Sequence, residues 1–166
     1  MSRPRLGEAL SWPRYEDAVL DVFIGALDRM TNRKTLPQGE EPINLELYWL
    51  CREVHLELLK ADQSIPFAII FDSTNQPEPE DSADSRRLKK RPDFMCVLIN
   101  QQATDAKASQ VNYTLECKRL GKASAGWVFN ENYSERGVLR FISTDPSYAK
   151  GRSSAAMIGY IQDMPP

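Results

Sequence analysis

Three residues in two short segments carry the clearest chemistry in this chain. Asp93 opens the apolar run Asp93-Phe94-Met95-Cys96-Val97-Leu98-Ile99, behind Arg91-Pro92. Glu116 and Lys118 close the run Val111-Asn112-Tyr113-Thr114-Leu115-Glu116-Cys117-Lys118. Both runs are rich in the β-branched and aromatic residues that favour strands. Strand side chains alternate between faces, so Glu116 and Lys118 share one face and Cys117 takes the other. Paired as an antiparallel hairpin, the first strand's start lies beside the second strand's end, and Asp93 meets Glu116 and Lys118. Two carboxylates that share a site repel each other, and a cation between them offsets that repulsion. Carboxylate and carbonyl oxygens suit a hard divalent ion such as Mg²⁺, which keeps several of its waters. Asp93, Glu116 and the backbone carbonyl of Cys117 are the candidate ligands. An ion held there lowers the pKa of a bound water and offsets charge on a phosphate under attack. Lys118 is placed to orient that water or to stabilise the developing charge. The bland alternative is a cross-strand salt bridge on a solvated face.

Helical and strand periodicities place these segments in an α/β chain. Tyr15, Ala18, Val19, Val22, Phe23, Ala26, Leu27 and Met30 fall on one face of a helix over Ser11 to Met30, with Ser11 as N-cap and Pro13 in its first turn. Asn32, Pro37, Gly39 and Pro42 mark residues 31–42 as a loop. A second helix is expected from Asn44, its N-cap, to Lys60. Leu47, Leu50, Cys51, Val54 and Leu58 make one stripe on it, and Leu45, Tyr48, Trp49, Leu56 and Leu59 make another, so it should pack on two sides. Pro66 to Phe71 reads as a short strand. Residues 72–91 are polar, acidic first and basic last, and read as a long mobile loop. Tyr133 to Ser143 reads as a further helix and Ala155 to Ile161 as a last strand.

The pair Pro92-Asp93 and Glu116-Cys117-Lys118, in this order of elements, resembles the PD-(D/E)xK nuclease superfamily and its restriction-endonuclease-like fold. The likeness runs from about Asn44 to Ile161. It implies a core of α-β-β-β-α-β, a small mixed sheet flanked by helices, here with an additional N-terminal helix. It also implies catalysis by Asp93, Glu116 and Lys118, with Mg²⁺, for which Mn²⁺ substitutes, as cofactor. Hydrolysis would leave a 5′-phosphate without a covalent intermediate. A further acidic ligand often comes from the first core helix of that family. Glu46 is the candidate here, although an acid near a helix start also simply complements the helix dipole.

The expected activity is therefore endonucleolytic cleavage of DNA, in a restriction or phage-defence setting. A catalytically silent module that binds nucleic acid or protein, and a ribonuclease with the same site chemistry, stay open. Arg91, Arg119, Lys122 and Arg140 are candidates for phosphate contact, with Arg86, Arg87, Lys89 and Lys90 in the same basic run. Cutting both strands takes two such sites, which makes a homodimer the expected partner, and sequence specificity would need a dimer partner, a separate recognition subunit or DNA shape.

At 166 residues the chain is most simply one domain, residues 1–166, able to bury a core without staples. A net charge of −2 argues against coating nucleic acid by bulk charge. Cys51, Cys96 and Cys117 form no CxxC, and one histidine completes a poor ligand set for zinc. Charged residues interrupt positions 1–17, and no run reaches the length of a membrane span, so a reducing cytoplasm is expected. His55 reads as a surface or satisfied core histidine rather than a ligand, Cys117 as a small hydrophobe, and Trp12, Trp49 and Trp127 as packing groups, with Trp127 the one candidate for base stacking.

Overall fold

The computed structural model describes residues 11–72, 74, 91–106, 108–120, 138 and 155–161. In chain order these form helices α1 (Trp12–Thr31) and α2 (Glu40–Lys60) and strands β1 (Ala68–Phe71), β2 (Phe94–Ile99), β3 (Gln110–Leu120) and β4 (Ala156–Ile161). The four strands make one sheet in the order β1-β2-β3-β4. β3 and β4 run parallel, Leu115 aligned with Ala156 and Lys118 with Gly159. Parallel neighbours need a crossover of about a dozen residues or more, a length that residues 121–155 supply. The ends of β2 and β3 meet in the antiparallel sense: Asn100 N–H donates to the Ser109 carbonyl at 2.8 Å, and Asp93 lies beside Cys117. The described residues thus form an α/β arrangement, with two helices and a mixed sheet. Among the described residues no helix is long and apolar enough to cross a membrane.

The chain divides into two compact units, residues 1–69 with 96–112 and residues 70–95 with 113–166. In the first, α1 buries Tyr15, Ala18, Val19, Val22, Phe23, Ala26 and Met30, the face its 3.6-residue spacing predicts. Leu27 stays half-buried. Gly25 lets α2 approach closely, since a Cβ there would lie 3.1 Å from Val54 Cγ1. The Tyr15 hydroxyl donates to the Cys96 carbonyl at 2.7 Å, so the buried phenol is satisfied by a backbone acceptor. His55 is buried, its Nε2 lies 2.9 Å from the Ile65 carbonyl, and its ring stacks on Phe67. Of the two placements left open by the sequence, surface or satisfied core, the residue takes the core.

Two expectations need correction here. α2 begins at Glu40, not at Asn44. Gly39 sets the start, with a φ of 105° that side chains other than glycine rarely adopt. Pro42 then sits in the first turn, where its missing N–H costs nothing because those groups have no partner inside the helix. Asn44 is buried in the helix rather than capping it, and Glu46 lies in its second turn. The second correction concerns packing. α2 buries Ile43, Asn44, Leu47, Leu50, Cys51, Val54 and His55. Of the other stripe, Tyr48 and Leu59 are half-buried, while Leu45, Trp49 and Leu56 are exposed, Trp49 at 52%, so that side is only partly packed among the described residues.

The second unit holds its own apolar set: Phe94, Met95, Tyr113, Leu115, Cys117, Ile158 and Tyr160. Phe71 and Phe94 meet at a ring separation of 5.7 Å. Within the expected loop over residues 72–91 only Asp72, Thr74 and Arg91 are described. The helix expected over Tyr133 to Ser143 lies outside the described residues apart from Val138.

Candidate functional site

Asp93 is positioned from its backbone outward. Pro92, fully buried, fixes its own φ and has no N–H to satisfy, which suits the residue before a strand. The Asp72 N–H donates to the Asp93 carbonyl at 3.1 Å. Asp72 itself takes a φ of 47°, a left-handed conformation that aspartate tolerates better than most residues. Asp93 stands immediately ahead of β2, and its Oδ2 accepts the Cys117 backbone N–H at 2.6 Å. A charge-assisted bond of this kind is short and roughly twice as strong as a neutral one. It clips the start of β2 to the end of β3.

β3 is buried on both faces from Tyr113 to Cys117. One face carries Tyr113, Leu115 and Cys117. The other carries Thr114 and Glu116, both buried, and then Lys118. Glu116 is 2% exposed, a position where a carboxylate persists only if it is paired. Its Oε1 lies 3.1 Å from Lys118 Nζ. The same ammonium lies 3.7 Å from Asp93 Oδ2 and donates to the Cys117 carbonyl at 2.6 Å. One cationic nitrogen is therefore surrounded by three oxygens from three residues: two carboxylates and a main-chain carbonyl. Gly159 stands opposite Lys118 in the ladder with β4, so the position directly across from the lysine carries no side chain.

Cys117 points to the other face and is not exposed at all. Burial first, and then the negative charge of Asp93, push its thiol well above the ordinary range, while a bond with the Tyr160 side chain opposes this. It stays a neutral thiol, not a nucleophile.

The chain matches no family model, no curated protein and no solved structure.

Asp93, Glu116, Cys117 and Lys118 are brought together in the second unit. Glu46 belongs to the first, where Arg33 holds its Oε1 at 3.0 Å. Arg91 is exposed and lies 3.8 Å from Asp72, so part of its charge already faces a carboxylate. Arg119 is half-buried on β3. Lys122, Arg140, Arg86, Arg87, Lys89, Lys90 and Trp127 lie outside the described residues. Among the described residues no three His, Cys, Asp or Glu side chains form a metal-binding group. The oxygens gathered here come from two side chains and one backbone group, all of the hard type that Mg²⁺ or Ca²⁺ takes. Two residues of the site were not singled out from sequence. Thr114 extends the polar face inward from Glu116, and Tyr160 backs Cys117 from β4. Thr114 had a signal: positions 112, 114, 116 and 118 are all polar in a strand whose alternate positions include Val111, Tyr113 and Leu115. Tyr160 had none, because its place depends on a pairing across residues 121–155.

Proposed function

We propose that this chain is a metal-dependent phosphodiesterase acting on DNA, built on a restriction-endonuclease-like core of the PD-(D/E)xK kind. The observation that carries this reading is the convergence of Asp93 Oδ2, Glu116 Oε1 and the Cys117 carbonyl on one cation, the Lys118 ammonium, at 3.7, 3.1 and 2.6 Å. The donor set fits a hard divalent ion in kind, and the ammonium marks a point where positive charge is stabilised. Asp93, Glu116 and the Cys117 carbonyl would hold the ion. When bound, it supplies a polarised water and a counter-charge to the phosphate. Lys118, once released from the carbonyl, would orient a water or face the charge that develops in the transition state. Burial of Glu116 lowers the local dielectric and strengthens each of these interactions. Arg91 and Arg119 flank the three residues in sequence and would neutralise neighbouring phosphates.

The test is cleavage of supercoiled plasmid with Mg²⁺ or Mn²⁺, alongside RNA of matching sequence. Asp93→Asn, Glu116→Gln and Lys118→Met should each lower the rate about 100-fold or more. Equal cleavage by any of them removes the assignment. A second reading is a silent binding module in which the same residues form only a buried ion-pair cluster. The short lysine contacts favour it, since they offset one of the two carboxylate charges without any metal. Salt-dependent DNA retention with no cleavage under either metal would select it.

A further inference from the structure

α2 presents an apolar stripe to solvent as well as to the core. Leu45, Trp49 and Leu56 are 46%, 52% and 53% exposed. With the exposed Arg52 they recur at i, i+4, i+7 and i+11, which at 3.6 residues per turn confines them to about 60° of arc. The Arg52 guanidinium lies 5.7 Å from the Tyr48 ring centre and 5.4 Å from that of Trp49. A groove of about 610 Å³ beside the stripe is lined by Tyr48, Trp49, Leu56, Leu59, Phe67 and Ile69. Single exposed apolar residues are ordinary, but a continuous stripe with a groove beside it marks an interaction surface.

We infer that this face docks a second copy of the chain, the two α2 helices lying antiparallel about a two-fold axis between Leu50 and Cys51. Charge complementarity selects this occupant. That axis sets Leu45 against the partner subunit's Leu56, Trp49 against the partner subunit's Arg52, and Glu41 against the partner subunit's Lys60. Each contact occurs twice, as an isologous interface requires. Apolar meets apolar, a guanidinium meets an indole face, and the ends of the helices carry opposite charges. Parallel alignment would instead oppose Glu41 to Glu41, Arg52 to Arg52 and Lys60 to Lys60. Nucleic acid fits this helix poorly, because Glu40, Glu41, Glu46, Glu53 and Glu57 outnumber Arg52 and Lys60. The inference is independent of the phosphodiesterase reading, since every residue in it belongs to the other unit.

Sedimentation velocity on the full chain from about 1 to about 100 µM tests it. The parent should pass from monomer to dimer with concentration. Trp49→Glu should weaken association at least about tenfold, and Glu41→Lys or Lys60→Glu alone about threefold or more. The combined Glu41→Lys/Lys60→Glu variant should return to parental association, because the swap rebuilds both cross-pairs. Circular dichroism confirms that each variant is folded, as expected for exposed positions. In a Leu45→Cys/Leu56→Cys variant, oxidation should yield a covalent dimer. A parent monomeric throughout, a dimer indifferent to Trp49→Glu, a charge swap that fails to restore, or no covalent dimer would each overturn the inference. A monomer whose sedimentation shifts only on adding single-stranded oligonucleotide would assign the face to nucleic acid and overturn it as well.

Discussion

Lys118→Met separates a cation site from an ordinary salt bridge more sharply than any other change. The methionine keeps most of the side chain's apolar length and removes the charge. Glu116, at 2% exposure, then loses the ammonium 3.1 Å from its Oε1, and the Cys117 carbonyl loses a donor at 2.6 Å. Breaking a buried pair by deleting one partner costs about 3–5 kcal/mol. Lys118 and Asp93 side chains retain 14% and 23% exposure, so water relieves part of this and about 3 kcal/mol is the reasonable figure. For a chain of this size each kcal/mol shifts Tm by roughly 2–4 °C, giving a fall of about 6–12 °C without metal. Magnesium should then matter more to the variant than to the parent, because the ammonium no longer competes for the same oxygens. For an ion at ten times its Kd, stabilisation is about 1.4 kcal/mol, or about 3–6 °C. Thermal melts with and without Mg²⁺, at matched ionic strength, measure both effects. Glu116→Gln/Lys118→Met supplies the control: it returns the cluster to the parent's net charge, recovers part of the lost stability, and loses the magnesium effect. The reasoning fails if Lys118→Met melts within about 1 °C of the parent. It fails equally if magnesium raises the parent, the single and the double variant alike, since the ion would then bind elsewhere.

Three further outcomes follow from the fold. Tyr15→Phe removes the buried bond to the Cys96 carbonyl at 2.7 Å, costing about 0.5–1.5 kcal/mol in urea unfolding; an unchanged midpoint would show that the phenol contributes nothing. Gly39→Ala forces a side chain onto a φ of 105° and should cost about 1–3 kcal/mol, with the loss visible in the same urea midpoint; a neutral result would mean α2 starts without that conformation. Burial pushes the Cys51, Cys96 and Cys117 thiols above their ordinary value, with Cys51 adding to the effect at Cys96 and Asp93 to that at Cys117. The folded chain therefore keeps protons that the unfolded chain releases above about pH 8.5. Their contribution is whole below that pH and declines above it, by up to about 1.4 kcal/mol per pH unit for each thiol. Urea midpoints at pH 8 and about pH 10 should diverge less in Cys96→Ala than in the parent, and an equal divergence would refute the assignment.

What could be read from the chain depended on how local the determining physics was. α1 and all four strands declare themselves by the spacing of apolar residues over a few turns or pleats. The meeting of Asp93 with Glu116 and Lys118 needed only strand alternation plus one short hairpin, and both are local. The start of α2 was misplaced because Pro42 reads as a stop, when its position in a first turn makes the missing N–H harmless. The outer face of α2 was misjudged for a different reason: periodicity reports that a face is apolar, not which body covers it. The parallel alliance of β3 with β4, and with it Tyr160 behind Cys117, joins segments across residues 121–155 and leaves no local trace.

The polar face of β3 departs from the usual composition of an interior strand. A strand buried on both faces ordinarily places apolar residues on both. Thr114, Glu116 and Lys118 break that rule in the middle of the sheet, at positions where hydrophobic residues would cost the fold less. A buried ion pair is weak support for stability, because desolvation offsets much of the attraction and apolar replacements of similar volume often serve as well. Folding alone therefore does not account for Glu116 at 2% exposure. Asp93 strengthens the point, since its Oδ2 binds the Cys117 N–H rather than solvent, adding a second carboxylate where one already has to be neutralised. Such an arrangement becomes favourable when a small cation of higher charge than an ammonium is available to the same oxygens. The placement of these charges thus argues for a site, and the magnesium response of Lys118→Met asks whether a divalent ion uses it.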